Sequence, residues 1–192
     1  MPSLLRTPVV MLLQIALILA VSSRTVVAQP KPGLDIHYVP TPPAVVDAML
    51  ALAAVGPGDV VFDLGSGDGR IVNTAAARFG VRGVGLELDR DLNRRAERAA
   101  RKAGVSHLVQ FRAEDLFKAD LSTATVVTLY LSPTTNLRLR EKLRRELKPG
   151  TRVVSHRFDM GDWRPEREVS VGSTRLFLWT IGNPPATVSS PR

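Results

Sequence analysis

The sequence has 192 residues and no cysteine, which excludes disulfide bonds and thiolate metal sites. Its 44% hydrophobic and 23% charged residues are typical of a globular chain and exclude disorder as its main state. The formal net charge is +8, so a polyanionic partner has to be considered.

The amino-terminal residues predict an export signal. Arg6 precedes an apolar run over residues 9–21, and small residues follow up to Ala28. A short basic region, an apolar segment below membrane-spanning length and small residues at a cleavage site are typical of a secretory signal peptide. We therefore expect residues 1–28 to export the chain to the periplasm or the cell exterior. An uncleaved membrane anchor through residues 8–21 and an organelle presequence are the alternatives.

Apolar runs and helical spacings alternate along the rest of the chain, which predicts an α/β sheet with helices on both faces. A linker is expected at residues 29–37, a folded domain at 38–182 and a flexible tail at 183–192. Thr41 is expected to cap the first helix. Strands are predicted from residue 60 and at 83–87, 108–113, 125–131 and 151–155, helices at about 71–79 and 91–103 and around residues 139–147, and a closing hairpin at 168–171 and 175–181.

Two acidic residues and a glycine loop predict a ligand site. One apolar run ends at Asp63, a second ends at Glu87, and between them lies the loop Gly65-Ser66-Gly67-Asp68-Gly69. Buried parallel strands bring both carboxylates to the same edge of a sheet, and the glycines let backbone amides approach a ligand. Glu87 comes 24 positions after Asp63, about the offset at which an acid reaches a ribose. The pattern therefore predicts a nucleoside site.

The spacing of the glycines argues against two nucleotide classes. Arg70 occupies the place of the third glycine of a dinucleotide motif, and Asp68 would repel a pyrophosphate. The chain also lacks the lysine-containing phosphate loop of nucleoside triphosphatases. The three histidines share no metal-ligand spacing, so no metal is expected.

The glycine motif instead resembles that of the class I S-adenosylmethionine-dependent methyltransferases, whose cofactor carries a sulfonium cation and no phosphate. The resemblance implies a Rossmann-like, doubly wound seven-strand sheet with an antiparallel last strand over residues 38–182. It also implies that Asp63 and residues 65–69 hold the methionine end of S-adenosylmethionine and that Glu87 holds the ribose hydroxyls. Asp115 would face the adenine amino group, with Glu114 as the alternative residue and a helix cap as the alternative role for Asp115. Thr41 completes the expected cofactor contacts.

A narrower resemblance rests on three segments: Tyr38-Val39-Pro40-Thr41-Pro42, residues 63–72, and Asp115-Leu116-Phe117. They are similar to the small lysine methyltransferases related to the enzyme that modifies the ATP synthase c subunit. The resemblance implies N-methylation of protein lysine. The segment Tyr130-Leu131-Ser132-Pro133-Thr134 is not the Asn/Asp-Pro-Pro-aromatic motif of adenine, cytosine and glutamine methyltransferases, which disfavours DNA methylation. A methyltransferase for a small molecule or lipid, and a non-catalytic S-adenosylmethionine-binding protein, are the alternatives.

The catalytic residues are expected after the fourth strand. Tyr130, Ser132 and Asn136 are the candidates for the lining of the reacting centre, while residues 156–159 and Trp163 could wall the substrate side. A core position for Tyr130, a turn at Ser132 and a lid on the sheet for Trp163 are the structural alternatives.

Basic residues gather on two predicted helices, where they could meet nucleic acid or an anionic membrane. Glu97 and Arg101, and likewise Glu141 and Arg145, have the spacing of ion pairs on a solvated helix. No aromatic residues are interleaved for base stacking. We therefore expect a protein substrate and no nucleic acid, with membrane contact through the amino-terminal segment or these helices as a further possibility.

The signal-peptide hypothesis predicts cleavage after Ala28. Sequencing the amino terminus of the protein purified from its native host should find Gln29 first. An intact Met1 in the membrane fraction would favour the anchor, and a soluble cytosolic protein would contradict export.

Overall fold

The computed structural model describes residues 38–183; the predicted signal peptide, the linker at 29–37 and most of the tail lie outside the described residues. Four helices and seven strands follow one another along this part of the chain. They are α1 (Pro43–Leu52), β1 (Val60–Leu64), α2 (Arg70–Phe79), β2 (Arg82–Leu86), α3 (Arg90–Lys102), β3 (Val109–Arg112), β4 (Val126–Leu129), α4 (Pro133–Glu146), β5 (Arg152–His156), β6 (Arg167–Val171) and β7 (Thr174–Thr180). Every predicted element is present, and most bounds move by only one or two residues.

The strands form one sheet in the order β3-β2-β1-β4-β5-β7-β6. Strands β1 to β5 are parallel, while β7 runs antiparallel to both β5 and β6. The strand order reverses between β1 and β4, the topological switch point at which open α/β sheets bind ligands. The predicted α/β sheet with its closing antiparallel hairpin is confirmed.

The sheet is buried on both faces. Met49 and Leu50 of α1 and Ile71 of α2 belong to the hydrophobic cluster on one face. Leu139 and Leu143 of α4 belong to the cluster on the other, with Trp179 and Leu121 among its members. The apolar residues whose spacing predicted these helices are therefore the ones that pack them against the sheet.

Thr41 does not cap α1, which corrects the first-helix prediction. The helix starts at Pro43 with Pro42 as its N-cap, and no side chain caps it. Two consecutive prolines fix the backbone before the first turn and remove donors that would need a partner, so the cap is dispensable. The Thr41 hydroxyl is instead buried, 3.3 Å from Nδ1 of His156.

The basic helices carry local ion pairs, and one of their cations is buried. Glu141 pairs with Arg140 and Arg144, whereas Arg145 pairs with Glu146 and not with Glu141 as the spacing predicted. Lys142 is buried and donates to the Ala119 carbonyl at 2.7 Å and to Glu146 at 2.5 Å. Within residues 38–183, no helix is long and apolar enough to cross a membrane.

Candidate functional site

Asp63 lies at the switch point and is the penultimate residue of β1. It is 2% exposed, and the hydroxyl of Thr128 on the neighbouring β4 donates to Oδ1 at 2.7 Å. Burial raises the pKa of Asp63 to about 7; the Thr128 hydrogen bond lowers it, and the charges of Glu87 and Asp68 raise it. The site thus holds a carboxyl that takes on charge most readily when a cation lies beside it.

Hydrogen bonds to β2 hold the glycine loop against the sheet. The amides of Gly65 and Ser66 donate to the Leu86 carbonyl at 2.8 and 3.0 Å. Gly67 has a positive φ of 54°, and a Cβ built on it would lie 2.4 Å from the ring of Tyr38. Only glycine meets both conditions, because a side chain would be strained by the backbone and would strike the ring that covers the loop.

Glu87 follows β2 directly and connects that strand to the loop. Its Oε2 accepts from the Gly67 amide at 3.1 Å, and its Oε1 accepts from the Asp89 amide at 2.9 Å. Asn93 of α3 donates to the Glu87 carbonyl at 2.7 Å, which fixes the backbone below it. The structure therefore brings the two predicted carboxylates and the glycine loop to one place.

Asp68 is engaged by Arg70, a residue whose role the sequence did not reveal. Arg70 donates to both carboxylate oxygens of Asp68, at 2.9 and 2.6 Å, and also to the Thr41 carbonyl at 2.8 Å and the Tyr38 hydroxyl at 3.4 Å. Burial alone would raise the pKa of Asp68, but the hydrogen bonds and charge of Arg70 hold it below its ordinary value. Asp68 thus ties the 38–41 segment to the loop. Only an acid two positions before an arginine at the start of a helix could have suggested this.

The acidic residues after β3 lie at the same edge of the sheet. Glu114 and Asp115 are both half-buried. Asp115 accepts from the Phe117 amide at 2.9 Å, which caps a turn and no helix. The contact with adenine stays a prediction for both residues.

Of the three residues expected at the reacting centre, Ser132 and Asn136 are used for local structure. Ser132 is the N-cap of α4 and accepts from the Thr135 amide at 3.2 Å. Asn136 is fully buried and donates to Ser155 and to the Phe158 carbonyl, at 3.0 and 3.1 Å. Contrary to expectation, the buried Asn136 therefore connects α4 to the end of β5 and the segment after it, and does not line the site.

Tyr130 keeps a position at the edge, against a histidine. It is half-buried after β4, and its ring stacks on that of His156 with centroids 3.8 Å apart. His156 is 3% exposed, and burial together with the charge of Arg157 lowers its pKa to about 4. The pair is thus a neutral aromatic surface at the ends of β4 and β5.

Trp163 is partly buried and packs against the core, so it does not wall the substrate side. Its ring packs 5.5 Å from that of Trp179, and its carbonyl accepts the Trp179 indole N–H at 2.7 Å. The guanidinium of Arg144, in the last turn of α4, lies 5.9 Å from the Trp163 ring. Because α4 runs away from the carboxyl ends of the strands, Trp163 lies toward their opposite edge.

The charged groups at the switch point suit a nucleoside with a cationic group better than a phosphate. Asp63 and Glu87 supply carboxylates, and the nearby Arg70 is neutralised by Asp68. A sulfonium and an ammonium are favoured beside such acids, whereas a pyrophosphate would be repelled. The residues present therefore fit S-adenosylmethionine.

Comparisons with known proteins agree with this geometry. Residues 63–167 match the family model of the ANTKMT methyltransferase domain. The protein-lysine N-methyltransferase of Saccharolobus islandicus is 43% identical over 152 residues, 77% of this chain and 94% of its own. The adenine nucleotide translocase lysine N-methyltransferase of Mus musculus is 39% identical, over 82% of this chain and 68% of its own.

One solved structure is similar over nearly its whole length. It is described as an RNA methyltransferase from Salinibacter ruber in complex with S-adenosyl-L-homocysteine, and it is 57% identical with a TM-score of 0.74. The match covers 74% of this chain and 94% of that one. The expected methyltransferase fold and enzyme class are confirmed.

The two shifted pKa values predict opposite effects of pH on the stability of the cofactor-free protein. Folding raises the pKa of Asp63 from 3.8 to about 7, so the folded chain keeps a proton that the unfolded chain loses, and stability falls with rising pH between these values. Folding lowers the pKa of His156 from 6.5 to about 4, so stability rises with pH over that interval. The two effects largely cancel in the wild type.

Single substitutions should expose each slope. Relative to the wild type, Asp63→Asn should gain stability as pH rises from 4 to 7, and His156→Asn should lose it. Urea denaturation at fixed temperature across this range measures both. Curves that run parallel to that of the wild type would contradict the assignment.

Proposed function

The chain belongs to the ANTKMT methyltransferase domain family, and we propose that it transfers the methyl group of S-adenosylmethionine to lysine side chains of a protein. The observation that carries the proposal is the joining of Asp63, the glycine loop and Glu87 at the switch point of the sheet. The curated relatives that cover most of this chain are named for lysine N-methylation, which supports the choice of acceptor.

The residues at the switch point have separate tasks toward the cofactor, which supplies a methyl group activated by a sulfonium. Glu87 would accept hydrogen bonds from the ribose hydroxyls, and its contact with the Gly67 amide keeps the loop beside it. Asp63 and the loop amides would hold the methionine end, where an ammonium favours the ionised carboxylate. Asp115 or Glu114 would receive the adenine amino group.

The acceptor side must place a lysine amine with its lone pair free. The amine has to lose its proton first, because its ordinary pKa is about 10.4. The free lone pair would then take the methyl group that the cofactor supplies in exchange for its bond to sulfur, and the second amine proton would leave to solvent. Tyr130 and His156 form an uncharged surface there, which disfavours an ammonium and favours the neutral amine.

The shape of the edge favours a side chain presented by a larger molecule. Tyr38, Val39, Leu88 and Leu137 are exposed large apolar residues, and each belongs to a segment at the carboxyl edge of the sheet. In the described part of the chain, the longest connection between core elements has 13 residues, at 113–125, and none carries an inserted domain. A small metabolite would need enclosure, whereas a lysine can reach the cofactor on its long stem.

RNA is the second candidate acceptor, because the similar Salinibacter ruber structure is described as an RNA methyltransferase. The charge distribution gives it less support. Beside the glycine loop, Arg70 is paired with Asp68, and the carboxylates of Asp63 and Glu87 lie at the same edge, which lowers the positive potential that a phosphate backbone needs there.

Removing the ribose contact should weaken cofactor binding. Glu87→Gln keeps the size of the side chain but removes its charge, so the dissociation constant should rise roughly tenfold or more, about 1–3 kcal/mol. Calorimetry with S-adenosylmethionine measures the loss. Glu97→Gln, on the exposed face of α3, removes the same charge away from the site and should leave binding unchanged. Equal affinities for both variants would contradict the role of Glu87.

Label from the cofactor should appear on protein lysine. The purified protein is incubated with host lysate and S-adenosylmethionine carrying a deuterated methyl group, and proteins, RNA and small molecules are separated. We expect methyl-lysine, with a rate that rises between about pH 7 and 9 as the amine deprotonates. Tyr130→Phe should lower turnover more than cofactor affinity. Label that ribonuclease releases would instead establish RNA as the acceptor.

A further inference from the structure

Arg157 is held in a backbone conformation that costs folding energy. Within residues 38–183, the non-glycine residues with positive φ are Ala54, at 48°, and Arg157, at 73°. A glycine would adopt this conformation without steric cost, so an arginine persists there only because the surrounding structure imposes it. The constraint is visible, since the Arg157 amide donates to the Arg175 carbonyl at 2.7 Å. Such strain is concentrated at functional positions.

The position of Arg157 is the acceptor side of the site. It follows β5 directly, and its side chain is exposed. Its guanidinium carbon lies 5.5 Å from the centre of the Phe158 ring, which orients the charge at the rim. Arg157 directly follows His156, whose ring stacks on that of Tyr130, and its charge lowers the pKa of His156.

The charge of Arg157 has no carboxylate partner among the described residues. Its neighbours do: Arg175 pairs with Glu168, and Arg140 pairs with Asp162. The nearby Asp159 accepts from the Gly161 amide at 3.1 Å. A guanidinium at the rim is thus available to a group of the incoming substrate.

We propose that Arg157 is a specificity residue that binds a carboxylate close to the target lysine of a protein substrate. The inference rests on the proposed lysine methylation. A guanidinium binds a carboxylate through two parallel hydrogen bonds, and the left-handed backbone sets the direction in which the Arg157 side chain leaves the main chain. Asp159, two residues further along the chain, is an exposed acid that disfavours a polyphosphate chain at this rim more than a single carboxylate.

A pair of glycine substitutions separates the function of Arg157 from its strain. Arg157→Gly and Ala54→Gly each relieve a left-handed residue, so each should raise the melting temperature by about 2–4 °C. Ala54 lies at the opposite edge of the sheet, where its carbonyl accepts from Arg152 at 3.1 Å. Only Arg157→Gly should impair methylation. Arg157→Asn, which tolerates the same backbone without the charge, should behave in the same way.

The substrate preference is measured on the lysines that the full-length protein methylates in host lysate. Site-resolved mass spectrometry should find Asp or Glu enriched within three residues of the lysines labelled by the wild type and by Ala54→Gly, and not of those labelled by Arg157→Gly. A peptide from the most heavily labelled site, made with Glu or Gln beside the lysine, then gives the kinetic constants. For the wild type, KM for the Glu peptide should be about three- to fivefold lower, with similar kcat and a smaller difference at high salt.

The outcomes distinguish this inference from the proposed function. Methyl-lysine with no acidic enrichment, or an enrichment that survives in Arg157→Gly, overturns the role of Arg157 and leaves lysine methylation in place. Label on RNA and none on lysine overturns the proposed function, and the inference with it.

Discussion

The register between β1 and β2 is the constraint on which the site depends. The two strands are parallel, with Asp63 opposite Gly85 and Leu64 opposite Leu86, so both strands end at the same level of the sheet. The glycine loop then hydrogen-bonds to the Leu86 carbonyl, and Glu87, one residue further, binds the loop. A slip of one residue would turn Asp63 to the other face and separate it from Glu87. Site and sheet are therefore specified together.

The acids at this edge destabilise the empty protein and would stabilise it with a cationic ligand bound. Burial raises the pKa of Asp63, which means that its charged form is poorly solvated without a partner. A cationic ligand would supply that partner, so part of the binding energy would come from stabilising the buried charge of Asp63. Asp68 lies in the same loop but is satisfied by Arg70, which explains why burial raises one pKa while the other stays low.

The features that the sequence predicted correctly depend on short-range patterns. Strand β1, the glycine loop and Glu87 follow from an apolar run, a turn and an offset, all within residues 60–87. The errors depend on contacts between distant segments. Asn136 appeared polar and available, but its amide is enclosed by Ser155 and the Phe158 carbonyl. Trp163 was expected at the rim because it follows β5, yet its ring packs against Trp179 and its carbonyl accepts from the Trp179 indole.

The 38–41 segment connects the two halves of the site. Thr41 reaches both with its polar groups: its carbonyl accepts from Arg70 beside the glycine loop, and its hydroxyl contacts His156 at the end of β5. Tyr38 covers Gly67 at the same time. A helix cap, the role expected for Thr41, would have used the hydroxyl locally. Because the prolines after it make a cap unnecessary, the hydroxyl can join the start of α1 to β5, and the segment holds the glycine loop and the Tyr130–His156 pair in one arrangement.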